Sequence, residues 1–225
     1  MERPLRGEPP PAGGRPPRAS GESPVAVLLM AYGAARPLED IPAYLADIRG
    51  GRPPEPDLID QVTDRYRAMG GRSPLLEITE RQARALEDWL DEEVGAARFK
   101  VFVGMRHSPP TIRDAVRRLR EGGFSRAVAL PLTPYDSGLS VGAYLKALEE
   151  ARSAEAAGLE VLPVRSWCRE PIFIDCWAER LREARDRLPE TSRPDARVLF
   201  TAHSLPKGRL PAGDPYPAEL DATAA

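Results

Sequence analysis

Five runs in this chain are apolar at nearly every position, and segments with helical spacing of apolar residues lie between them. The runs are Val25–Tyr32, Phe99–Met105, Ala127–Leu132, Leu159–Leu162 and Arg197–Ala202. A strand that is apolar on both faces needs cover on both, which is the environment of a parallel sheet packed between helices. The intervening segments supply that cover. Ile112, Ala115, Val116 and Leu119 follow the i, i+3, i+4, i+7 rule, as do Ile174, Trp177, Ala178, Leu181 and Leu188. Leu75, Ile78, Leu86, Trp89 and Leu90 make a third stripe, after Ser73 as N-cap and Pro74 as first helical residue. Ser108-Pro109 reads as the same start signal for a helix over 109–121. The repetition predicts an α/β fold, a doubly wound parallel sheet flanked by helices.

The segment from Gly33 to Arg98 is far longer than one crossover helix requires. Residues 38–49, 57–68 and 75–94 each read as helical, broken by Gly50-Gly51-Arg52-Pro53-Pro54 and Gly70-Gly71. An insertion at the carboxyl end of a first strand stands where such sheets form ligand sites, so a lid or substrate lip is expected there. Residues 1–24 differ in kind. They hold seven of the 25 prolines, beside glycine, arginine and serine, and no periodic apolar residues, so a disordered tail is expected.

Composition excludes several classes. The net charge is −2 with acids and bases interspersed, which predicts no nucleic-acid partner. No apolar run approaches the roughly 18 residues of a membrane helix, and the first residues lack the apolar core of a signal peptide. Two cysteines, Cys168 and Cys176, make no disulfide framework, so a cytoplasmic location is expected.

Only two histidines exist, His107 and His203, each just past the end of an expected strand. A neutral imidazole at that edge can take a proton or ligate a divalent metal. Their contexts are Gly104-Met-Arg-His107 and Thr201-Ala-His-Ser-Leu-Pro206. In chain order they join Met30-Ala-Tyr-Gly33, Asp64-Arg-Tyr66, Gly70-Gly-Arg-Ser-Pro-Leu75 and Leu130-Pro-Leu-Thr-Pro134. Ser140-x-x-x-Tyr144, Ser166-Trp-x-x-Glu-Pro171 and Gly213-Asp-Pro-Tyr216 complete the series. Taken together, these collinear motifs resemble the ferrochelatase family over roughly residues 25–220, most closely its water-soluble Gram-positive and actinobacterial members.

The resemblance implies insertion of Fe²⁺ into a porphyrin, coproporphyrin III, giving coprohaem that a downstream decarboxylase converts to haem. It implies that His203 is metal ligand and proton acceptor, and that Tyr32 stands on the opposite face as axial ligand of the product iron. Arg49, Arg65 and Tyr66 match positions that bind the carboxylate arms, where guanidinium groups offer bidentate bonds. Ser73 and Tyr144 match further porphyrin contacts, and His107 a cleft position with either a proton-relay or a structural role. No cofactor is implied beyond the substrate Fe²⁺. A [2Fe–2S] cluster with Cys168 as one ligand is implied only for a longer form, because a cluster takes about four thiolates and this chain has two cysteines.

Family members have two similar α/β lobes with the porphyrin cleft between them. By that measure residues 25–225 are the first lobe and the start of the inter-lobe region, with the second lobe and its acidic iron-site residue largely missing. Weak porphyrin binding and poor turnover are then expected of residues 1–225 alone. Two alternatives remain open: a chelatase of cobalamin or sirohaem synthesis, and a non-catalytic tetrapyrrole-binding protein.

Overall fold

Val25–Ala31 forms β1, and its side chains alternate between two helical layers. Leu28 and Met30 enter a core with Ile112, Ala115 and Val116, whereas Val27 and Leu29 meet Ala83 and, beside it, Leu86 and Leu90. The computed structural model describes residues 23–203 and 205–225, so the expected tail, but for Ser23 and Pro24, lies outside the described residues. Phe99–Met105 forms β2, Arg126–Pro131 β3 and Glu160–Pro163 β4. All pairings are parallel, in the order β2-β1-β3-β4, with Val25 opposite Phe99, Ala26 opposite Ala127 and Arg126 opposite Glu160. The expected doubly wound α/β sheet is what the chain forms.

The insertion after β1 contains α1 (Ile41–Ile48), α2 (Pro56–Ala68) and α3 (Leu75–Glu93). Helices α1 and α2 build a small core of their own from Ile41, Leu45, Tyr66 and Ala35. On the opposite face of the sheet lie α4 (Ile112–Glu121) and α5 (Val141–Glu155). The connection leaving β1 runs to β2 on one side, and the connection leaving β3 runs to β4 on the other. Adjacent strands whose connections part in this way open a crevice at their carboxyl ends, the usual ligand position in open α/β sheets.

Several expectations need correction. The helix expected over 109–121 begins at Ile112, because Pro110 disfavours helical backbone at Pro109 and Thr111 makes a capping box with Asp114. Pro74, not Ser73, is the N-cap of α3, although Ser73 Oγ accepts the Leu75 N–H at 3.3 Å. In α3 the buried positions are Thr79 and Ala83, while Ile78 and Trp89 face outward, Trp89 at 55% exposure. The helix α6 (Pro171–Asp186), expected to bury one face, buries no residue.

The expected strand over 197–202 does not form. Residues 197–203 have no regular structure and pair with no strand among the described residues, and Leu199 is 87% exposed. A strand is held by ladder partners on its flank, and β4, at the edge of the sheet with exposed Leu162, pairs only with β3 among the described residues. The chain ends in α7 (Tyr216–Ala224). Among the described residues no helix is long and apolar enough to cross a membrane.

Candidate functional site at the carboxyl ends of the strands

Backbone bonds splice the exits of β1 and β2 into one ledge. Arg106 N–H donates to Ala31 O and His107 N–H to Tyr32 O, both at 2.9 Å. Beyond Tyr32 the chain turns at Gly33, with φ +93°, and the next N–H, of Ala34, donates to Ser108 Oγ at 3.1 Å. A Cβ on Gly33 would meet Ser108 Oγ at 2.6 Å, so the close approach of the two strand exits requires glycine.

Tyr32 stands on this ledge, 42% exposed, with its ring centroid 4.6 Å from that of His107. The His107 side chain is only 8% exposed, and its Nδ1 lies 2.6 Å from Asp47 Oδ2. Burial pulls the His107 pKa below its ordinary value and so favours the neutral ring. The Asp47 hydrogen bond opposes that shift, and the Arg106 cation reinforces it.

Phenols gather around this pair. Tyr44, on α1, donates its hydroxyl to Gly33 O at 3.2 Å. Burial raises its pKa well above the phenol range, and the nearby Tyr66, Tyr32 and Tyr144 phenols add to the effect. The Tyr66 hydroxyl, buried on α2, accepts the Ala35 N–H at 3.1 Å and ties the insertion to the β1 exit. Tyr144, on the first turn of α5, is pushed up to about 12, mainly by burial; Arg106 pulls it down and Tyr32 pushes it up. Tyr32, Tyr44, Tyr66, Tyr144 and Arg106 thus lie close enough to act on one another electrostatically.

The remaining expected residues make no hydrogen bond with this cluster among the described residues. Arg49 closes α1, and its Nε is shut off from solvent with no hydrogen-bond partner. A buried guanidinium N–H without an acceptor is costly, and a ligand carboxylate would satisfy it. Arg65 is exposed on α2. Ser73 lines a cavity of about 400 Å³ with Ala34, Arg36, Gly71, Arg72 and Ser108. His203 is exposed in the unpaired 197–203 segment; its carbonyl accepts the Tyr216 hydroxyl at 3.2 Å, and its imidazole makes no hydrogen bond among the described residues.

Three participants were missed by sequence reading: Tyr44, Asp47 and Arg106. Tyr44 and Asp47 are i, i+3 partners on α1 and so share a face, which was the available signal. Cys168 is buried and accepts the Ser166 hydroxyl at 3.3 Å, whereas Cys176 is exposed. Among the described residues no three of His, Cys, Asp and Glu come together, so these two thiols do not by themselves fit a cluster.

The family model for ferrochelatase matches residues 24–225. The chain belongs to the ferrochelatase family. Coproporphyrin III ferrochelatases from Bacillus subtilis and Halalkalibacterium halodurans are each 40% identical to it over 200 residues. That of Listeria monocytogenes is 38% identical over 200 residues. Each alignment covers 89% of this chain and 64% of the relative. The chain therefore spans less than two-thirds of the length of these ferrochelatases.

Proposed function

We propose that the protein to which this chain belongs inserts Fe²⁺ into coproporphyrin III, acting in the cytoplasm and passing coprohaem to a downstream decarboxylase. The observation that carries this reading is the phenol cluster around Tyr32, standing at the strand ends of a ferrochelatase-family fold, with a buried, unpartnered Arg49 Nε at the end of α1. The exposed Tyr32 ring suits a flat macrocycle, and the Arg49 guanidinium suits a carboxylate arm. The relatives' names supply the porphyrin.

Metal insertion breaks two pyrrole N–H bonds as the four nitrogens take the metal. His203 is the proton acceptor and iron ligand, since a neutral imidazole is a ligand suited to Fe²⁺ that also accepts protons near neutral pH. Tyr32 is the axial ligand of the product iron on the other face. Arg49, Arg65 and Tyr66 hold propionates, and Ser73 and Tyr144 add hydroxyl contacts. Cys168 has no part in this chemistry; a cluster role belongs only to a form with more thiolates.

The test is anaerobic conversion of coproporphyrin III by the protein as its gene encodes it. His203→Ala is expected to lower turnover by about a hundredfold or more, the usual contribution of a general base, while fluorescence titration still reports porphyrin binding. Undiminished insertion by the variant would refute the assignment. Binding without insertion by the unmutated protein would favour a non-catalytic tetrapyrrole carrier.

A further inference from the structure

We infer that Asp47 is a positioning residue for Tyr32 and acts through His107. The three side chains are joined by two contacts, from Asp47 Oδ2 to His107 Nδ1 at 2.6 Å and from the His107 ring to the Tyr32 ring at 4.6 Å between centroids. A carboxylate offers only acceptors, so Nδ1 carries the ring proton and Nε2 keeps its lone pair. The Asp47 contact is the sole hydrogen bond of the imidazole among the described residues, and nothing else polar fixes the ring about its Cβ–Cγ bond.

The geometry makes this orientation matter to Tyr32. The phenol is 42% exposed at the strand end, and the imidazole forms a wall against it at an interplanar angle of 59°. The main chain at His107 cannot shift to compensate, because its N–H is bonded to Tyr32 O and Ser108 is bonded to Ala34. The imidazole rotor is therefore the free variable of the wall, and Asp47 sets it from α1, a different element. Metal sites use the same logic when an outer carboxylate fixes the ring of a histidine. Here the fixed ring steers a neighbouring phenol.

The inference rests on the reading of Tyr32 as axial ligand, and its experiment separates the two. In ¹⁵N-histidine-labelled protein without ligand, the His107 ring is expected to show a protonated Nδ1 and a bare Nε2. That pattern should persist in Asp47→Asn, whose amide oxygen still accepts, and be lost in Asp47→Leu. Asp47 is exposed on a helix surface, so both variants fold. With iron coproporphyrin III as probe, resonance Raman bands of an iron–phenolate bond should disappear in Tyr32→Phe, broaden in Asp47→Leu and recover in Asp47→Asn. The kcat for iron insertion should fall about tenfold in Asp47→Leu, with KM little changed, the scale of losing an outer-sphere histidine partner. Adding Asp47→Leu to His107→Ala should produce no further loss.

An Nε2-protonated His107 in the unmutated protein overturns the inference at once. So does an Asp47→Leu spectrum identical to that of the unmutated protein, with Tyr32 still shown as ligand by Tyr32→Phe. Bands indifferent to Tyr32→Phe would remove the axial-ligand reading and this inference together.

Discussion

Gly33 combines two demands that no other residue meets. Its φ of +93° is a strained region for any side chain, and a Cβ there would lie 2.6 Å from Ser108 Oγ and 3.0 Å from Ser108 N. The hydroxyl can rotate away; the backbone nitrogen cannot. Gly50, at φ +68°, shares the backbone demand but has nothing within 4 Å of an added Cβ. Comparing the two isolates the clash. Gly50→Ala is expected to cost about 1 kcal/mol, the ordinary penalty for a left-handed residue. Gly33→Ala should cost at least about 2 kcal/mol, from the same strain plus displacement of a main-chain segment. It should also weaken coproporphyrin III binding, since the shift moves Tyr32 and His107, whereas Gly50→Ala should not. Urea melts and a fluorescence titration of both variants check this. Equal costs in the melts would show that the two strand exits are not in firm contact.

At the scale of the element, α4 shows what periodicity can and cannot reveal. Its four expected apolar positions, Ile112, Ala115, Val116 and Leu119, are all buried, and each large one contributes about 2 kcal/mol by leaving water. Its first residue was misread because Ser108-Pro109 imitates a start signal, while the hydrogen bonds that start the helix belong to Thr111 and Asp114. Asp114 accepts from Thr111 N at 2.9 Å and Thr111 Oγ1 at 2.8 Å, and Thr111 Oγ1 accepts from Asp114 N at 3.1 Å. These bonds, the backbone one foremost, and the Arg117 and Arg118 cations hold the Asp114 carboxyl below its ordinary pKa against the opposing effect of burial. A depressed folded pKa stabilises above the unfolded value, near 3.8, and that contribution fades as pH falls through the folded value. Thr111→Ala should therefore cost about 1 kcal/mol at pH 7, and the deficit of Asp114→Asn should shrink as melts are taken below pH 3.8. A deficit constant from pH 7 to pH 2.5 would refute the assignment. The same contrast runs through the site. The position of Tyr32 at the end of β1, and of Gly104-Met-Arg-His107 at the end of β2, was legible from the apolar runs, whereas the role of Tyr32 was implied only by the family resemblance. Asp47 was not legible: an acid on a half-exposed helix is indistinguishable in sequence from any solvated carboxylate until its partner, 60 residues away, is known. The 197–202 run failed for the opposite reason, since apolar content alone does not supply a ladder partner.

Across the whole molecule, apolar burial is concentrated between β1–β3 and the helices α3, α4 and α5, and it thins toward β4, α6 and the 197–203 segment. The C-terminal part is held differently, by polar contacts to the loops after β3 and β4. Asp214 accepts from Gly138 N at 2.8 Å, Ser137 Oγ at 3.0 Å and Tyr216 N at 3.1 Å. Glu219 accepts from Asp136 N at 2.6 Å, and Thr223 donates to Cys168 O at 3.0 Å. Desolvation pushes the Asp214 pKa up, yet the hydrogen bonds from Gly138, Tyr216 and Ser137 outweigh it and hold the carboxyl below its ordinary value. Asp214 therefore anchors α7 to the same loop that leads into α5 and Tyr144, while His203 lies 11 residues before it on a segment without ladder bonds. If this anchor acts locally, Asp214→Ala should speed amide exchange at Gly138 and Tyr216 by ten- to a hundredfold. That range corresponds to about 1.5–3 kcal/mol for hydrogen bonds to a charged group. Amides of β1 and β3 should exchange at unchanged rates, since their burial owes nothing to α7. Acceleration spread evenly over the sheet would mean instead that the C-terminal part and the sheet unfold as one cooperative unit.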